Sequence, residues 1–560
     1  MQLSPNRRLA LSLAGFVAVL ASSLAVFAEH GKDHFHPGNL VVSRSMYVGM
    51  PGTVTLGQIL PPGCVAGTVN IPLLPPAPPP PNNTTPVKVK CAKAVADGTH
   101  PTVFNNDTAD GSFGVTSPIF LDQMTPGGKF INSFAVDPTE IVTSFSSKSE
   151  LALNLSDDRK SITFVGYRAG SGFLTSPNEL DVSNSNTPGV VDLSNPVTSQ
   201  YYRAVAEIDD DGHLKITEGN AYSGNNGRAA IKAHGLYYMA GNNNNGGLSA
   251  TQLPTTTTGV NLITSTGVEL LIPGASAPVP PNIDMIGKFD ISQVGFPSDK
   301  PGKDNNFRGL TIHKNTLYVT KGSGGNGINT VYQVGQAGDL PDLSDAPLLK
   351  VPITILPGLW NTLAANTTPP LPRFPFGIWF ADSKTLYVGD EGDGTMANAG
   401  TDKMSGLEKW VFDGTQWNLV YTLQKGLNLG VPYAVPTPPG ATPYPNPAAD
   451  GLRNLTGRRN ENGTVTIWAI TSTVSSSGDQ GADPNQLVMI TDRLDAKTLP
   501  AWESFKVLRT AKYGEVLRGV SFTPGSEPRC GDHDDRKCDE DHGNQGGDHD
   551  HQGEDHDGDR

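Results

Sequence analysis

The sequence predicts an all-β protein built as a single β-propeller, and three observations support this prediction. The chain is rich in turn-forming residues, with 63 Gly and 46 Pro, and only 17% of its residues are charged. A strand–turn–strand pattern recurs along the chain, and hairpins with Asp-Gly turns follow it. Strand-like segments at the two ends of the chain have no neighbours of their own and complete one another. Repeated antiparallel units of this kind are typical of propeller blades.

The first residues have the form of a secretory signal. Arg7 and Arg8 give a short basic start, an apolar stretch runs from Leu9 to Phe27, and Ala28 ends a small-x-small cleavage pattern. We therefore expect cleavage after Ala28 and a secreted or periplasmic protein. A retained membrane anchor is the alternative, because the apolar stretch is nearly long enough to cross a bilayer. No other segment predicts a membrane span.

The repeat consists of a short apolar strand, a tight turn and a second strand that often contains Leu-Tyr-Val. Hairpins follow it, with turns at Asp211-Gly212 and Asp413-Gly414. Asp-Gly between alternating apolar runs predicts a hairpin, because both residues tolerate positive φ. Two consecutive hairpins form a four-stranded blade, and the spacing is about 65 to 80 residues. Five internal copies begin at Leu151, Gly227, Arg308, Phe376 and Leu452.

A sixth blade is predicted to combine both ends of the chain. The segment LRGVSFTP, from Leu517 to Pro524, predicts an innermost strand with no blade behind it. The N-terminal segments NLVVSRSMYVG, SPIFLDQM and KFINSFAV predict three strands that lack an innermost one. A shared blade closes the ring and leaves no exposed sheet edge. Six blades are expected, and a seventh within 260–291 is the alternative.

Two sets of residues resemble propeller repeats of the NHL and YVTN type. They are Arg308-Gly309-Leu310 with Leu317-Tyr318-Val319-Thr320, and Leu386-Tyr387-Val388-Gly389. The resemblance covers most of the mature chain and implies the propeller fold. These repeats occur in binding proteins, lactonase-like hydrolases and proteins of no known activity, so the resemblance implies no single function. The chain is also similar to exported bacterial propellers without assigned activity.

A proline-rich insertion, at about 50–116, separates the first two N-terminal strands. Its run IPLLPPAPPPPNNTTP favours extended polyproline conformation, so an exposed loop is expected and a docking arm for a partner is the alternative. The four cysteines fit an oxidising compartment. Pairing by nearness gives two disulfides, although four cysteines allow three connectivities. The expected pairs are Cys64 with Cys91 and Cys530 with Cys538.

The C-terminal segment differs from the rest, which gives three parts: a signal at 1–28, a propeller at 29–528 and a tail at 529–560. From residue 530 onward the tail has twelve Asp or Glu against three Lys or Arg, so it is expected to be disordered. Imidazole with carboxylate suits zinc, nickel or copper. A purely solvating acidic tail is the alternative. The candidate metal ligands are His533, His542, His549, His551 and His556.

Three further histidines, His30, His34 and His36, lie at the mature N-terminus. Both termini are expected to meet in the closing blade, so eight of the twelve histidines are predicted to lie near one side of the molecule. Within the propeller, His234 and His313 occupy matching turns, where packing is the expected role.

Arginines recur at the start of the predicted innermost strands, which line the channel of a propeller. A ring of guanidinium groups favours phosphate, carboxylate or sulfate ligands. The alternative is structural: each arginine holds a neighbouring blade through a carboxylate or a backbone carbonyl. The candidates are Arg228, Arg308, Arg453 and Arg518, with Arg373 slightly before its strand.

The loops after the second strands are expected to open on the same face as these arginines. They contribute Lys321, Asp390, Glu391 and Asp393 as further candidate ligand-binding residues. The three acidic residues predict a calcium site, or a carboxylate acting on a bound water. A solvated turn is the alternative for any one acidic loop.

The predicted function is that of an exported ligand-binding or protein-interaction module with a metal-binding acidic tail. The expected partner is a protein or a small anionic ligand, and the protein is expected to be a monomer. The net charge of −14 disfavours nucleic acid. The alternative is an enzyme, a metal-dependent hydrolase of the lactonase or phosphoesterase kind that acts at the propeller mouth. No cofactor is certain; calcium in the mouth and zinc, nickel or copper on the tail are the candidates.

Overall fold

The protein is described by a computed structural model. Residues outside the described ranges include the predicted signal, all four cysteines and every residue from 527 onward, which includes the whole predicted tail. The described residues are 34–46, 116–145, 147–168, 185–188, 200–219, 221–242, 260–264, 306–323, 327–342, 353–439, 446–475 and 481–526, with short strands at 59–60, 67–72, 84–89, 92–93 and 291–292 and a few single residues.

The chain is almost entirely β-structure. The N-terminal third contributes β1 (Leu40–Met46), β2 (Ile59–Leu60), β3 (Gly67–Pro72), β4 (Thr84–Val89), β5 (Ala92–Lys93), β6 (Thr116–Ser117), β7 (Ile119–Met124), β8 (Phe130–Ala135), β9 (Thr143–Ser144), β10 (Asn154–Leu155) and β11 (Ser161–Arg168). The middle third contributes β12 (Tyr202–Asp209), β13 (Leu214–Gly219), β14 (Gly227–Ala233), β15 (Leu236–Gly241), β16 (Val260–Thr264), β17 (Ile291–Ser292), β18 (Phe307–His313), β19 (Thr316–Lys321), β20 (Thr330–Val334) and β21 (Ile353–Ile355).

In the described residues of the last third, one short helix lies among the strands. Its elements are β22 (Pro375–Asp382), β23 (Thr385–Asp390), α1 (Met396–Ala399), β24 (Gly406–Phe412), β25 (Trp417–Leu423), β26 (Ala448–Arg459), β27 (Thr464–Val474), β28 (Gln486–Arg493), β29 (Lys506–Thr510) and β30 (Glu515–Phe522). No helix in the described ranges is both long and apolar enough to span a membrane.

Six sheets form the six blades of a propeller, which confirms the predicted fold. From the channel outward, blade 1 is β10-β11-β12-β13, blade 2 is β14-β15-β16, blade 3 is β18-β19-β20-β21 with β17 at its edge, blade 4 is β22-β23-β24-β25, blade 5 is β26-β27-β28-β29, and blade 6 is β30-β1-β7-β8. The five predicted internal starts each coincide with the first strand of a blade or its approach. Within the described residues the 260–291 region adds β16 to blade 2 and β17 to blade 3, and it forms no seventh blade.

Blade 6 closes the ring in the way the sequence predicts. The C-terminal strand β30 is innermost and pairs antiparallel with β1, from Leu40 opposite Phe522 to Met46 opposite Glu515. The second edge of β1 pairs with β7. Backbone hydrogen bonds between the two ends of the chain therefore hold the ring closed, and β1 has a partner at both of its edges.

The innermost strands all run in the same direction, which gives the ring two distinct ends. We call the end where these strands begin the arginine face, and the end where they turn into the second strands the hairpin face. The insertion leaves β1 at the arginine face and contains two short antiparallel pairs, β3 with β4 and β2 with β5. Most of its proline run lies outside the described residues, as does the expected Cys64–Cys91 pair.

The tyrosine of the Leu-Tyr-Val motif contacts the next blade. Strand register makes Tyr238, Tyr318 and Tyr387 equivalent, because each is the third residue after its inner hairpin turn. The Tyr238 hydroxyl donates to the Pro341 carbonyl, 2.7 Å away, in blade 3. Tyr318 packs on a blade 4 ring 4.6 Å away, and Tyr387 donates to a blade 5 carboxylate. The repeated motif thus serves contact between blades.

Glycines on the innermost strands allow neighbouring backbones to touch. A Cβ at Gly309 would lie 2.2 Å from the Phe376 carbonyl oxygen of the next blade, and a Cβ at Gly519 would lie 2.5 Å from the Leu151 carbonyl oxygen. These positions follow directly after Arg308 and Arg518. A side chain at either position would force the innermost strands apart. This close approach explains why glycine follows arginine in the repeat.

We predict that Gly309→Ala destabilises the propeller, because its new methyl group meets a backbone atom that cannot move without shifting blade 4. Overpacking of this kind costs about 1–3 kcal/mol. Thermal unfolding of the purified protein measures it. Gly400→Ala is the matched control, since its φ is −76° and the nearest atom to a Cβ is 3.5 Å away. Equal melting temperatures for the two variants would contradict the prediction.

Candidate functional site

The arginines at the strand starts are buried and contact neighbouring blades. Arg228 of blade 2 donates to the Phe307 carbonyl of blade 3 over 2.8 Å, and also to the Asn306 side chain. Arg518 of blade 6 donates to the carbonyls of Phe145 and Ser147, which lead into blade 1. These contacts are those of the packing alternative. A role of these residues in ligand binding stays a prediction.

Glu391 holds two of the arginines. It follows β23 of blade 4, and its carboxylate lies 3.4 Å from Arg308 of blade 3 and 2.9 Å from Arg453 of blade 5. All three side chains are buried. The Glu391 carbonyl also accepts a hydrogen bond from the Ser472 hydroxyl of blade 5, 2.5 Å away. One acidic residue thus connects three consecutive blades at the arginine face.

The other predicted loop residues have separate protein partners. The Asp390 carboxylate accepts from the backbone N–H groups of Phe374 and Gly392, at 2.8 and 2.9 Å. The exposed Asp393 accepts from a backbone N–H and a side-chain amide of its own loop. Lys321 is buried and donates to Asn329, 3.1 Å away.

The three acidic residues of this loop therefore accept from three different sets of protein groups. Among the described residues no three or more His, Cys, Asp or Glu side chains are grouped so that they could hold a metal ion. Calcium in the mouth stays a prediction.

Two buried carboxyl groups near this loop have raised pKa values. Burial raises the pKa of Asp390 to about 7, although its two backbone donors and Arg373 act in the opposite direction. Burial also raises the pKa of Glu408 well above its usual range, against the nearby Arg373, which lies 3.0 Å away. Perturbed carboxyl groups are candidates for acid–base chemistry. Both oxygens of Asp390 bond to backbone N–H groups, however, so its evident role is to hold the loop.

We predict that Glu391→Gln destabilises the protein strongly. The substitution removes the carboxylate charge that lies beside two buried guanidinium groups, and breaking a buried pair costs about 3–5 kcal/mol. Denaturant or thermal unfolding measures the effect. Asp393→Asn, two residues away on the exposed part of the same loop, is the control and should change stability by less than about 1 kcal/mol. If the two variants unfold alike, Glu391 does not join the blades energetically.

A second buried ionic group lies between blades 4 and 5, near the hairpin face. Lys409 contacts Asp492 over 2.9 Å, and both side chains are fully buried. The Tyr421 hydroxyl donates to the same carboxylate over 2.7 Å. Burial, together with a hydrogen bond to Asp492, raises the pKa of the neighbouring Glu503 to about 8. Its backbone donor, the Arg493 N–H, is 2.9 Å away. The ion pair and the hydrogen bonds of this group join blades 4 and 5.

Stability is predicted to fall as the pH rises from about 4.5 to about 8 because of Glu503. In this window the unfolded chain ionises the carboxyl group, whereas the folded protein keeps it protonated. Glu503→Gln retains a neutral donor toward Asp492 and has no proton to lose. Its melting temperature relative to wild type should therefore rise between pH 5 and pH 8.5. The exposed Glu461→Gln is the control, and parallel profiles for wild type and Glu503→Gln would refute the pKa assignment.

All six innermost strands contribute to a cavity in the channel toward the hairpin face. Its volume is about 130 Å³. The lining begins one or two residues beyond the glycine contacts on blades 3, 4 and 6, so the backbone contacts lie directly above it. The apolar lining residues are Leu153, Leu155, Ile231, Ile312, Ile378, Trp379, Phe380, Leu455 and Phe522, and the polar ones include Asn154, Asp157, Arg159, Thr311, His313, Thr456 and Ser521.

Aromatic contacts shape one wall of this cavity. The His313 ring stacks on Phe380 with centroids 4.6 Å apart and an interplanar angle of 6°. Trp379 stacks on Tyr387 and covers Gly457, where a Cβ would lie 2.5 Å from the indole. His313 therefore packs, as expected, but against the neighbouring blade and at the channel. The exposed His234 lies 3.9 Å from Asp157 at the same face.

Sequence reasoning did not identify this cavity. Ile231, Ile312 and Leu455 read as ordinary strand residues, because each is apolar and lies near the end of an innermost strand. The sequence feature that could have identified these lining residues is their position, because each lies two to four residues after the arginine of its blade. These positions meet only once the ring has closed.

No family model matches the chain, and no curated protein matches it. Among solved structures, the parainfluenza virus 5 hemagglutinin-neuraminidase ectodomain matches 87% of this chain and 95% of its own, at 10% identity and a TM-score of 0.31. An ACO/RPE65 chimera matches 79% of this chain at 10% identity and a TM-score of 0.21. Cobalt-substituted Synechocystis ACO matches the same share at 9% and 0.20. The match covers 62% of each of the last two chains. The propeller assignment depends on the sheets themselves, not on these distant likenesses.

Proposed function

We propose that this chain is an exported six-bladed propeller of the NHL and YVTN repeat type that works as a ligand-binding or protein-interaction module. The ligand places one ring-sized or branched apolar group in the channel cavity at the hairpin face. The observation that carries the proposal is the cavity of about 130 Å³, to which all six blades contribute. Concave apolar sites with a few polar groups are the usual form of ligand sites.

The size of the cavity limits what enters it. A cavity of about 150 Å³ holds a molecule of the size of benzene, so this one has room for a single ring or a branched aliphatic group beside its polar lining groups. A larger ligand, or a protein that inserts one side chain, keeps its remainder outside. Asp157 and Arg159 place one charge of each sign in the lining, and Thr311 adds a hydroxyl. These groups orient a ligand without selecting strongly for its net charge.

The hydrolase alternative receives less support. Such an enzyme needs a metal ion with an open coordination position. Asp390, Glu391 and Asp393 accept bonds from backbone, arginine and amide groups of the protein. Using Glu391 as a metal ligand would sacrifice the contacts that join blades 3, 4 and 5, and using Asp390 or Asp393 would sacrifice hydrogen bonds that hold their own loop. An anion site on the arginine ring has the same difficulty, because Arg308 and Arg453 are paired with Glu391.

The proposal retains three features that derive from the sequence. They are export through the N-terminal signal, two local disulfides in an oxidising compartment, and metal binding by the acidic tail. A secreted or periplasmic location follows from the first of them.

Filling the cavity should abolish binding. Benzyl alcohol and p-cresol are suitable probes, because each presents one ring and one hydroxyl. We expect both to raise the melting temperature of the wild type, and Thr311→Phe to remove that shift, since the new ring occupies the cavity. Thr354→Phe, on the outer strand of the same blade, is the control and should retain the shift. Probes that stabilise Thr311→Phe as much as wild type would disprove binding at this site, and probes that stabilise no form would exclude ring-sized ligands.

A further inference from the structure

We propose that the side chains of Lys409 and Asp492 condense to an amide, an isopeptide bond that joins blades 4 and 5 covalently. Lys409 lies on β24, the third strand of blade 4, and Asp492 lies on β28, the third strand of blade 5. The bond forms within the buried ionic group described above. It does not depend on which ligand the propeller binds.

The Lys409 amine is held against the Asp492 carboxylate. Its Nζ lies 2.9 Å from Asp492 Oδ2, and the carboxyl carbon is one bond beyond that oxygen. Nζ also donates to the Arg493 carbonyl over 2.7 Å and to the Tyr421 hydroxyl over 2.9 Å. When one hydrogen has moved to Asp492, these two bonds hold the remaining hydrogens. The nitrogen lone pair is then directed at the carboxyl group.

The pair lies where electric charge is costly. The side chains of Lys409 and Asp492 are both fully buried. An ammonium and a carboxylate lose their hydration in such a place, whereas an amide carries no charge. Transfer of one proton from Nζ to Oδ2 produces an amine and a carboxylic acid, which are the forms that react with one another. Exclusion of water also protects the product, because hydrolysis of the amide requires water at the same carbon.

Two tyrosine hydroxyls donate to the carboxyl group. Tyr421 donates to Asp492 Oδ1 over 2.7 Å, and Tyr387 donates to Oδ2. Burial raises the pKa of both tyrosines, so both hydroxyls keep their hydrogens. Attack by the nitrogen places negative charge on Oδ1, and a donor already directed at that oxygen stabilises the charge.

Glu503 supplies the proton transfer that amide formation needs. It is buried beside Asp492, and the Arg493 N–H holds one of its oxygens over 2.9 Å. Burial, together with a hydrogen bond to Asp492, raises the pKa of Glu503 to about 8, so it carries a proton at neutral pH. A carboxylic acid in this position can give a proton to the leaving oxygen and take one from the nitrogen.

The reaction balances without any further reagent. The Nζ lone pair forms the bond to the Asp492 carboxyl carbon, and the bond from that carbon to Oδ2 breaks with its electron pair on the oxygen. Glu503 gives its proton to this oxygen, which already carries the hydrogen from Lys409, and recovers a proton from the nitrogen. The products are a neutral amide and one water molecule. No atom is oxidised or reduced, and Glu503 is regenerated.

Folding drives a condensation that is unfavourable between separate molecules in water. Reactants held in contact in the right orientation behave as though their concentration were about 10⁵–10⁸ M. Lys409 and Asp492 are 83 residues apart in the sequence, so only the folded propeller brings them together. The bond then links the two blades even after the chain has been unfolded.

Mass spectrometry of the reduced, denatured full-length protein tests the bond directly. We expect the wild type to be lighter than its sequence by the mass of one water molecule. Trypsin should release a branched peptide in which residues 404–425, uncleaved at Lys409, are joined to residues 460–493. A wild type of full mass that releases 404–409 as a free peptide would overturn the inference. Loss of water without the branched peptide would overturn it as well.

Three variants distinguish the bond from a simple ion pair. Lys409→Arg retains a cation opposite Asp492 but lacks the amine, so the full mass should return. Glu503→Gln should form the bond about a hundredfold more slowly, so the freshly purified variant should be mostly unbonded. Lys425→Arg is the matched control, because Lys425 donates to the Ala501 carbonyl over 2.6 Å, and it should keep the branched peptide. Equal amounts of that peptide in Glu503→Gln and wild type would refute the role of Glu503, and water loss in Lys409→Arg would refute the bond.

Discussion

The ion pairs of the buried Glu391 carboxylate are the interactions on which the arginine face depends. This carboxylate lies between Arg308 and Arg453, so that blades 3, 4 and 5 share one charge network. Two cations and one anion are costly to remove from water, and only their mutual attraction compensates this cost. The loop after β23 must therefore stay where it is. This requirement places protein groups at the arginine face, whereas the described cavity lies toward the other end.

Local chemistry made most of the fold predictable. Three kinds of sequence signal predicted the five internal blades and the closing one. They are the Asp-Gly turns, the recurring Leu-Tyr-Val strands and the incomplete segments at both ends, and each extends over only a few residues. The 260–291 region suggested a seventh blade because its strand-like residues form outer strands of two other blades. Propensity identifies a strand but does not say which sheet it joins.

The candidate site was less predictable, and Glu391 shows why. The sequence marks it as acidic and placed in a loop, which fits a metal ligand, a solvated turn or an ion pair equally well. Its partners lie 83 and 62 residues away, and no local pattern relates them. The cavity was even harder to predict from the sequence, because six strands that are distant in the chain form it together. His313 and Thr311 acquire a shared environment only through ring closure.

The glycine contacts between innermost strands have a consequence for how a ligand enters and leaves the cavity. With backbones touching beside Gly309 and Gly519, neighbouring innermost strands approach one another closely just above the cavity, so we expect a ligand to exchange only through the hairpin face. A bound group must leave by the opening through which it entered. Anything that covers that opening, such as the body of a large ligand, would trap the inserted group, so residence time would depend on the part of the ligand that never enters the protein.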